Sequence, residues 1–223
     1  MKIYLVFLFS LITTVSFSQR NEFGLGIGGL NYAGDLMRGY HFDNVKPGII
    51  GYYKRNLDPI VSIRASVTAG LLSGSDQNPM DAFAANRRAS FQTTLAEFAG
   101  IFEYNFLNYK ANHVGVRWSP YFMAGLSAFT IFGGDPDQRG NRFVEFAIPF
   151  GGGFKYQINP NITFNLEIGV RKLFTDQLDG FSDGDITNKN YQYGNKYDKD
   201  WYNFVGLSIS YLIWDVPCPY DFY

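Results

Sequence analysis

Eight stretches of this chain alternate, or nearly alternate, apolar residues with polar or small ones, and no stretch after the first few residues is a long charge-free apolar run. A period of two places successive side chains on opposite faces of a strand, so the pattern calls for two-faced β-strands and leaves no segment for a spanning helix. The first stretch, Glu22–Tyr32, sets Phe23, Leu25 and Ile27 against Gly24, Gly26 and Gly28. The second, Pro47–Asn56, is less clean, with Ile50 and Tyr52 on the apolar side and Gly51 and Arg55 opposite. The third runs Val61, Ile63, Ala65, Val67, Ala69, Leu71 against Ser62, Arg64, Ser66, Thr68 and Gly70. The fourth, Thr94–Phe106, sets Phe98, Phe102, Tyr104 and Phe106 against Glu97, Glu103 and Asn105. Pro120–Phe132, Val144–Ile158, Ile162–Arg171 and Trp201–Ile213 complete the set.

The polar flanks decide what kind of sheet this is. A soluble sandwich or a lipocalin-like pocket also alternates, with one flank toward a core and the other toward water. Here the polar flanks hold both charge signs, as Arg64, Glu97, Glu103, Lys155, Glu167 and Arg171, together with many glycines. That mixture suits the crowded lumen of a narrow barrel. The apolar flanks are aromatic-ended and free of charge, as contact with lipid demands. Short connections at Leu57-Asp58-Pro59 and Asn159-Pro160-Asn161 are interleaved with long polar ones at 33–46, 73–93, 133–142 and 172–200. The link 107–119 fits this alternation less well. Turns on one side and loops on the other are the habit of outer-membrane barrels. The expected fold is therefore all-β, an eight-stranded antiparallel up-and-down transmembrane β-barrel, and an even strand count puts both termini at the periplasmic end.

Residues 1–18 read as a secretory signal: Lys2, then a mostly apolar stretch from Tyr4 to Val15, then Ser16 and Ser18 as the small residues before a cut at Ser18–Gln19. No cysteine stands at the cut, so this is not a lipoprotein signal. The expected organisation is 1–18 signal, 19–213 outer-membrane barrel and 214–223 a periplasmic tail.

Charge removes one class of partner, since 19 Lys+Arg stand against 20 Asp+Glu and a nucleic-acid binder needs a basic excess. Gly24-Leu25-Gly26-Ile27-Gly28-Gly29 matches a dinucleotide fingerprint literally, but it follows an export signal with no strand before it and no helix after it. One cysteine and two histidines leave no zinc spacing. His41 lies near Asp35 and Asp43 in the first long loop, and His113 lies in the link placed at the opposite end, so a histidine-based hydrolase needs His41 with a distant partner. Asp176, Asp179, Asp183, Asp185 and Asp198 crowd the fourth loop without EF-hand spacing. No catalytic residue, cofactor, metal or small-molecule substrate is expected. Cys218 stands in Trp214-Asp215-Val216-Pro217-Cys218-Pro219-Tyr220, where Pro217 and Pro219 keep the tail extended. A lone cysteine in an oxidising compartment is either incidental or joined to another protein, and its aromatic neighbours Trp214 and Tyr220 favour a partner contact.

The stretch Gly26-Ile27-Gly28-Gly29-Leu30-Asn31-Tyr32-Ala33-Gly34-Asp35-Leu36 resembles the first strand and loop of PorG-like barrels, outer-membrane components of the type IX secretion machinery of Bacteroidetes. Glu103-Tyr104-Asn105-Phe106, Pro149-Phe150-Gly151, the stretch from Glu167 through Arg171-Lys172-Leu173-Phe174-Thr175-Asp176-Gln177-Leu178-Asp179 to Ser182, and the closing Cys218-Pro219 are similar too. The resemblance implies a non-enzymatic role: tying a periplasmic ring, built from a PorK/GldK-type lipoprotein and PorN/GldN, to the outer membrane, with gliding motility served in some species. That role fits a partner contact at Cys218, with a covalent link from the tail to the ring lipoprotein as the hypothesis that joins them. Two other functions stay open, a small pore or ligand barrel of the OmpW type and a surface hydrolase of the lipid-deacylase type.

Overall fold

The computed structural model describes residues 20–33, 44–58, 60–75, 90–110, 115–132, 144–174 and 201–214. The signal segment and its cut at Ser18–Gln19 lie outside the described residues, as does the tail beyond Trp214.

Eight strands form a closed barrel in chain order. They are β1 (Arg20–Ala33), β2 (Lys46–Asn56), β3 (Val61–Ser75), β4 (Ser90–Asn105), β5 (Trp118–Phe132), β6 (Glu145–Asn159), β7 (Ile162–Leu173) and β8 (Trp201–Trp214). Every neighbouring pair is antiparallel, and β1 closes on β8 along its whole length, from Arg20 opposite Trp214 to Ala33 opposite Trp201. Trp214, assigned to the tail by its sequence, is thus the last residue of β8. Closure leaves no unpaired strand edge, which a sheet in hydrocarbon cannot tolerate.

The wall has the two faces that its period dictates. Leu25, Ile27, Ile49, Val67, Leu126 and Ile209 are among the large apolar residues exposed on the outside. Near the turn end this band is bordered by exposed Phe23, Tyr53, Tyr104, Trp118, Tyr156 and Tyr211, and near the loop end by exposed Phe132, Phe146 and Phe174. Phe23 and Tyr53 meet with ring centroids 5.0 Å apart across β1 and β2. An apolar band between aromatic rows is the surface of a barrel seated in a bilayer.

One strand turns out with its faces exchanged. Ile50 and Tyr52 point into the lumen beside Lys54 and Asn56, and the outside of β2 carries Ile49 and Tyr53. Tyr52 is drawn inward because its hydroxyl has polar partners there, Ser208 at 3.2 Å and the Asn165 amide at 2.8 Å. The ring also occupies the space that a Cβ on Gly24 would need, since that atom would fall 2.1 Å from Tyr52 Cζ.

An arginine at Ile168, exposed midway along β7, is expected to cost about 2–4 kcal/mol, the penalty for a cation at the bilayer midplane. Chemical unfolding of Ile168→Arg in lipid vesicles measures it, and a neutral result would show that this face does not meet hydrocarbon.

Candidate functional site

The interior is where this barrel concentrates its chemistry, and its filling changes from one end to the other. Toward the turn end it is charged: Glu22, Lys54, Arg64, Glu103 and Lys155 are all buried. Toward the loop end Leu30, Tyr32, Leu72, Leu95, Phe129, Leu173, Tyr202 and Phe204 form one buried cluster, with the Arg171–Glu97 pair set against it. The mixed-charge filling expected from the alternation therefore holds, and Leu30, Leu72 and Leu95 add an apolar cluster at inward positions toward the loop end.

The charges pair between strands. Glu103 on β4 is shared by three cations, Lys155 at 2.6 Å, Arg64 at 3.1 Å and Lys54 at 3.8 Å. Arg64 on β3 also reaches Glu167 on β7 at 2.6 Å, joining opposite walls. Glu22 takes Lys54 at 2.6 Å. Arg171 stands 3.5 Å from Glu97 and 3.7 Å from Glu167, and the Tyr202 hydroxyl donates to Glu97. Lys155 also lies over the Tyr121 ring, 4.1 Å from its centroid. Each of these charges would be untenable alone in a water-poor lumen, and each has its counter-charge on another strand or one turn of register away.

The link between β4 and β5, which fitted the alternation of short and long connections poorly, closes the charged end from below. Its residues Tyr109 and Lys110 are buried, although they belong to no strand. The Lys110 ammonium lies 3.3 Å from Glu22 and donates to Asn56 on β2. Backbone bonds pin the segment, Phe106 N–H to Pro120 O at 3.1 Å and Gln157 N–H to Arg117 O at 2.7 Å. The link is therefore a plug folded back into the turn-end mouth. Gly115, with φ of 71°, takes a backbone conformation that favours glycine and lets the segment return to β5. Sequence reasoning missed Glu22, Lys54 and Lys110. Glu22 and Lys54 stand at inward register positions and were readable once the phase of β2 was right, but nothing in the pattern shows that a turn residue enters the lumen.

The sequence-derived partner residues Cys218, Pro217, Pro219 and Tyr220 lie outside the described residues, and so do His41, His113 and the loop aspartates. Of that group only the backbone of Trp214 is placed, beside Arg20 at the turn end.

Burial drives the Lys110 amine down from 10.5 to about 8, with Lys54 adding to the shift and Glu22 opposing it. A docked amine that holds its proton less tightly than a free one leaves docking indifferent to pH below about 8. Docking then gains as pH rises from there toward 10.5, where the undocked turn still binds the proton. Carbon-detected NMR of lysine in micelles, assigned with Lys110→Arg, is expected to show this amine titrating near pH 8. A midpoint at the ordinary lysine value would mean that the plug is not seated. Glu103→Gln, which leaves buried Lys155 without its carboxylate and takes one of two from Arg64 and Lys54, is expected to cost about 3–5 kcal/mol in denaturant unfolding, against about 1 kcal/mol for Ile101→Val in the same lumen.

The profile of a family described as a domain of unknown function, DUF6089, matches residues 1–221. No curated protein sequence matches the chain. Among solved structures it is similar to Ail, the attachment invasion locus protein of Yersinia pestis, seen in complex with the heparin analogue sucrose octasulfate. The identity is 10% and the TM-score 0.51, covering 88% of this chain and 100% of that one. Neisserial surface protein A is similar at 12% identity and a TM-score of 0.48, covering 86% of this chain and 95% of that one. OprG of Pseudomonas aeruginosa is similar at 10% identity and a TM-score of 0.46, covering 89% and 97%. The likeness to Ail establishes the fold as that of small eight-stranded outer-membrane barrels.

Proposed function

The chain belongs to the DUF6089 family, and we propose that it is a non-enzymatic outer-membrane barrel that ties a periplasmic assembly to the membrane, as PorG-like barrels do in type IX secretion. The filled lumen of the described residues carries this reading. Paired charges run from the turn end up to Arg171 and Glu97, apolar side chains join them toward the loop end, and Tyr109 and Lys110 stand at the turn-end mouth. A narrow barrel whose described lumen is filled in this way weighs against the pore-or-ligand alternative. Work then falls to the two ends.

The turn end gathers the features that suit a partner. It carries both ends of the described chain, Arg20 beside Trp214, together with the short turns and the docked plug. In this proposal that end faces the periplasm, and the tail continues from it through Pro217, Cys218, Pro219 and Tyr220. The partners are a ring lipoprotein of the PorK/GldK type and PorN/GldN, and in a gliding organism the same assembly supports motility. The surface-hydrolase alternative needs His41 and a loop partner and draws no support from the buried, ion-paired carboxylates of the lumen.

Outer membranes run on a non-reducing gel are expected to show this protein in a higher-mass band that either reductant or Cys218→Ser removes. A crosslinked pull-down from the same membranes should bring down the ring lipoprotein. A band that persists in the variant overturns the covalent link, and a pull-down holding no periplasmic lipoprotein overturns the anchoring role itself.

A further inference from the structure

At one level of the wall four glycines stand side by side on four neighbouring strands. Gly206 pairs with Gly28, Gly28 with Gly48, and Gly48 with Gly70. The backbones come too close here for side chains: a Cβ on Gly28 would fall 2.5 Å from the Val205 carbonyl oxygen, and one on Gly70 would fall 2.7 Å from the Gly48 Cα. Leu30 and Phe204 fill the lumen behind the row. On the outside the same row floors a furrow of about 760 Å³, banked by Ile27, Ile49, Leu71, Leu166 and Leu207. Ile27 and Ile49 are 69% and 62% exposed, so the furrow opens outward into the apolar band.

We propose that this furrow seats one acyl chain of a membrane lipid from the leaflet at the loop end. Its lining is hydrocarbon and glycine backbone apart from the Thr94 hydroxyl, so nothing in it selects a polar group. Its level favours the loop side, because Gly48 lies two residues from the loop end of β2 and eight from the turn end. A partner strand cannot add there, since the barrel is closed and β1, β2, β3 and β8 are each paired on both sides. A spanning helix, a cylinder about 10 Å wide and 30 Å long that occupies roughly 2,400 Å³, is about three times the furrow and would lie mostly outside it. A slender apolar chain remains, and the medium around this band supplies it. Seating it restores the close packing that a concave stretch of wall otherwise lacks.

The test uses the mature chain extracted from outer membranes in mild detergent and stripped stepwise of lipid while native mass spectrometry reads what stays bound. One lipid-sized adduct is expected to outlast the rest. Ala69→Phe, which fills the furrow from its own bank, should lower the retained adduct about tenfold or more. Ala128→Phe, facing outward on β5 away from the furrow, should retain it. If Ala69→Phe fails to assemble, as judged by its heat-modifiable gel mobility, Leu71→Trp makes the same test. Three outcomes overturn the proposal: no adduct outlasts the others on the wild-type chain, the filled variant holds lipid equally well, or a second copy of the chain appears in the lipid's place.

Discussion

Four carboxylates, Glu22, Glu97, Glu103 and Glu167, share a water-poor interior with four strand-borne cations, Lys54, Arg64, Lys155 and Arg171. Each is tolerable there only because another residue brings a counter-charge within reach. Arg64 on β3 finds Glu167 on β7. These strands lie four apart in an eight-stranded ring, so the contact exists only when the ring is closed. The pairing and the closure are therefore one condition. An open sheet of this sequence would expose an edge to hydrocarbon and also strand several buried ions. The gain from such pairs over a hydrophobic filling is small, and their larger effect is to penalise other registers. A shift of one residue in any strand would carry its ions to the lipid face.

Lys110 makes the balance uneven. With it the described interior holds five cations against four carboxylates, and this fifth charge comes from a connection, not from the wall. Glu22 is close to both Lys54 and Lys110, so one carboxylate serves a fixed cation and a docked one. Strand-borne charges are held by the ladder of backbone bonds on either side. The plug is held by a few hydrogen bonds and one shared carboxylate, which makes it the least tightly fixed part of the charged filling. A barrel whose lumen is otherwise packed thus keeps its most adjustable group at the end where the chain enters and leaves.

The architecture was legible because strand period and barrel geometry speak the same language. Phe23, Leu25 and Ile27 face outward and Glu97, Glu103, Lys155, Glu167 and Arg171 face inward, as alternation requires. The failures share a cause. On β2, Ile50 and Tyr52 look apolar, and hydropathy sends them to the lipid; their inward placement depends on Ser208 and Asn165, which lie on strands far away in the chain. Leu30, Leu72 and Leu95 likewise sit at inward positions among polar ones, and only the assembled ring shows that they meet one another. Lys110 has no period to betray it at all. What a strand presents to each side is local information, whereas what fills a closed volume is decided by every strand together.

The glycine row shows how tightly the inner and outer surfaces of such a wall are bound to each other. Glycines were expected as spacers for a crowded lumen, and Gly24 acts as one by making way for Tyr52. Gly206, Gly28, Gly48 and Gly70 do something that no single one of them could, because each is paired with the next and the bare stretch crosses four strands. The wall is one residue thick, so where its backbones draw together around Leu30 and Phe204 the outer face is hollowed by the same movement. A side chain placed at Gly28 would point into the lumen and collide with Phe204 and the Val205 carbonyl, so the protein cannot fill the furrow from its floor. It can fill it only from the banks or with something that is not protein. Ala69, the small residue on one bank, leaves the second course open.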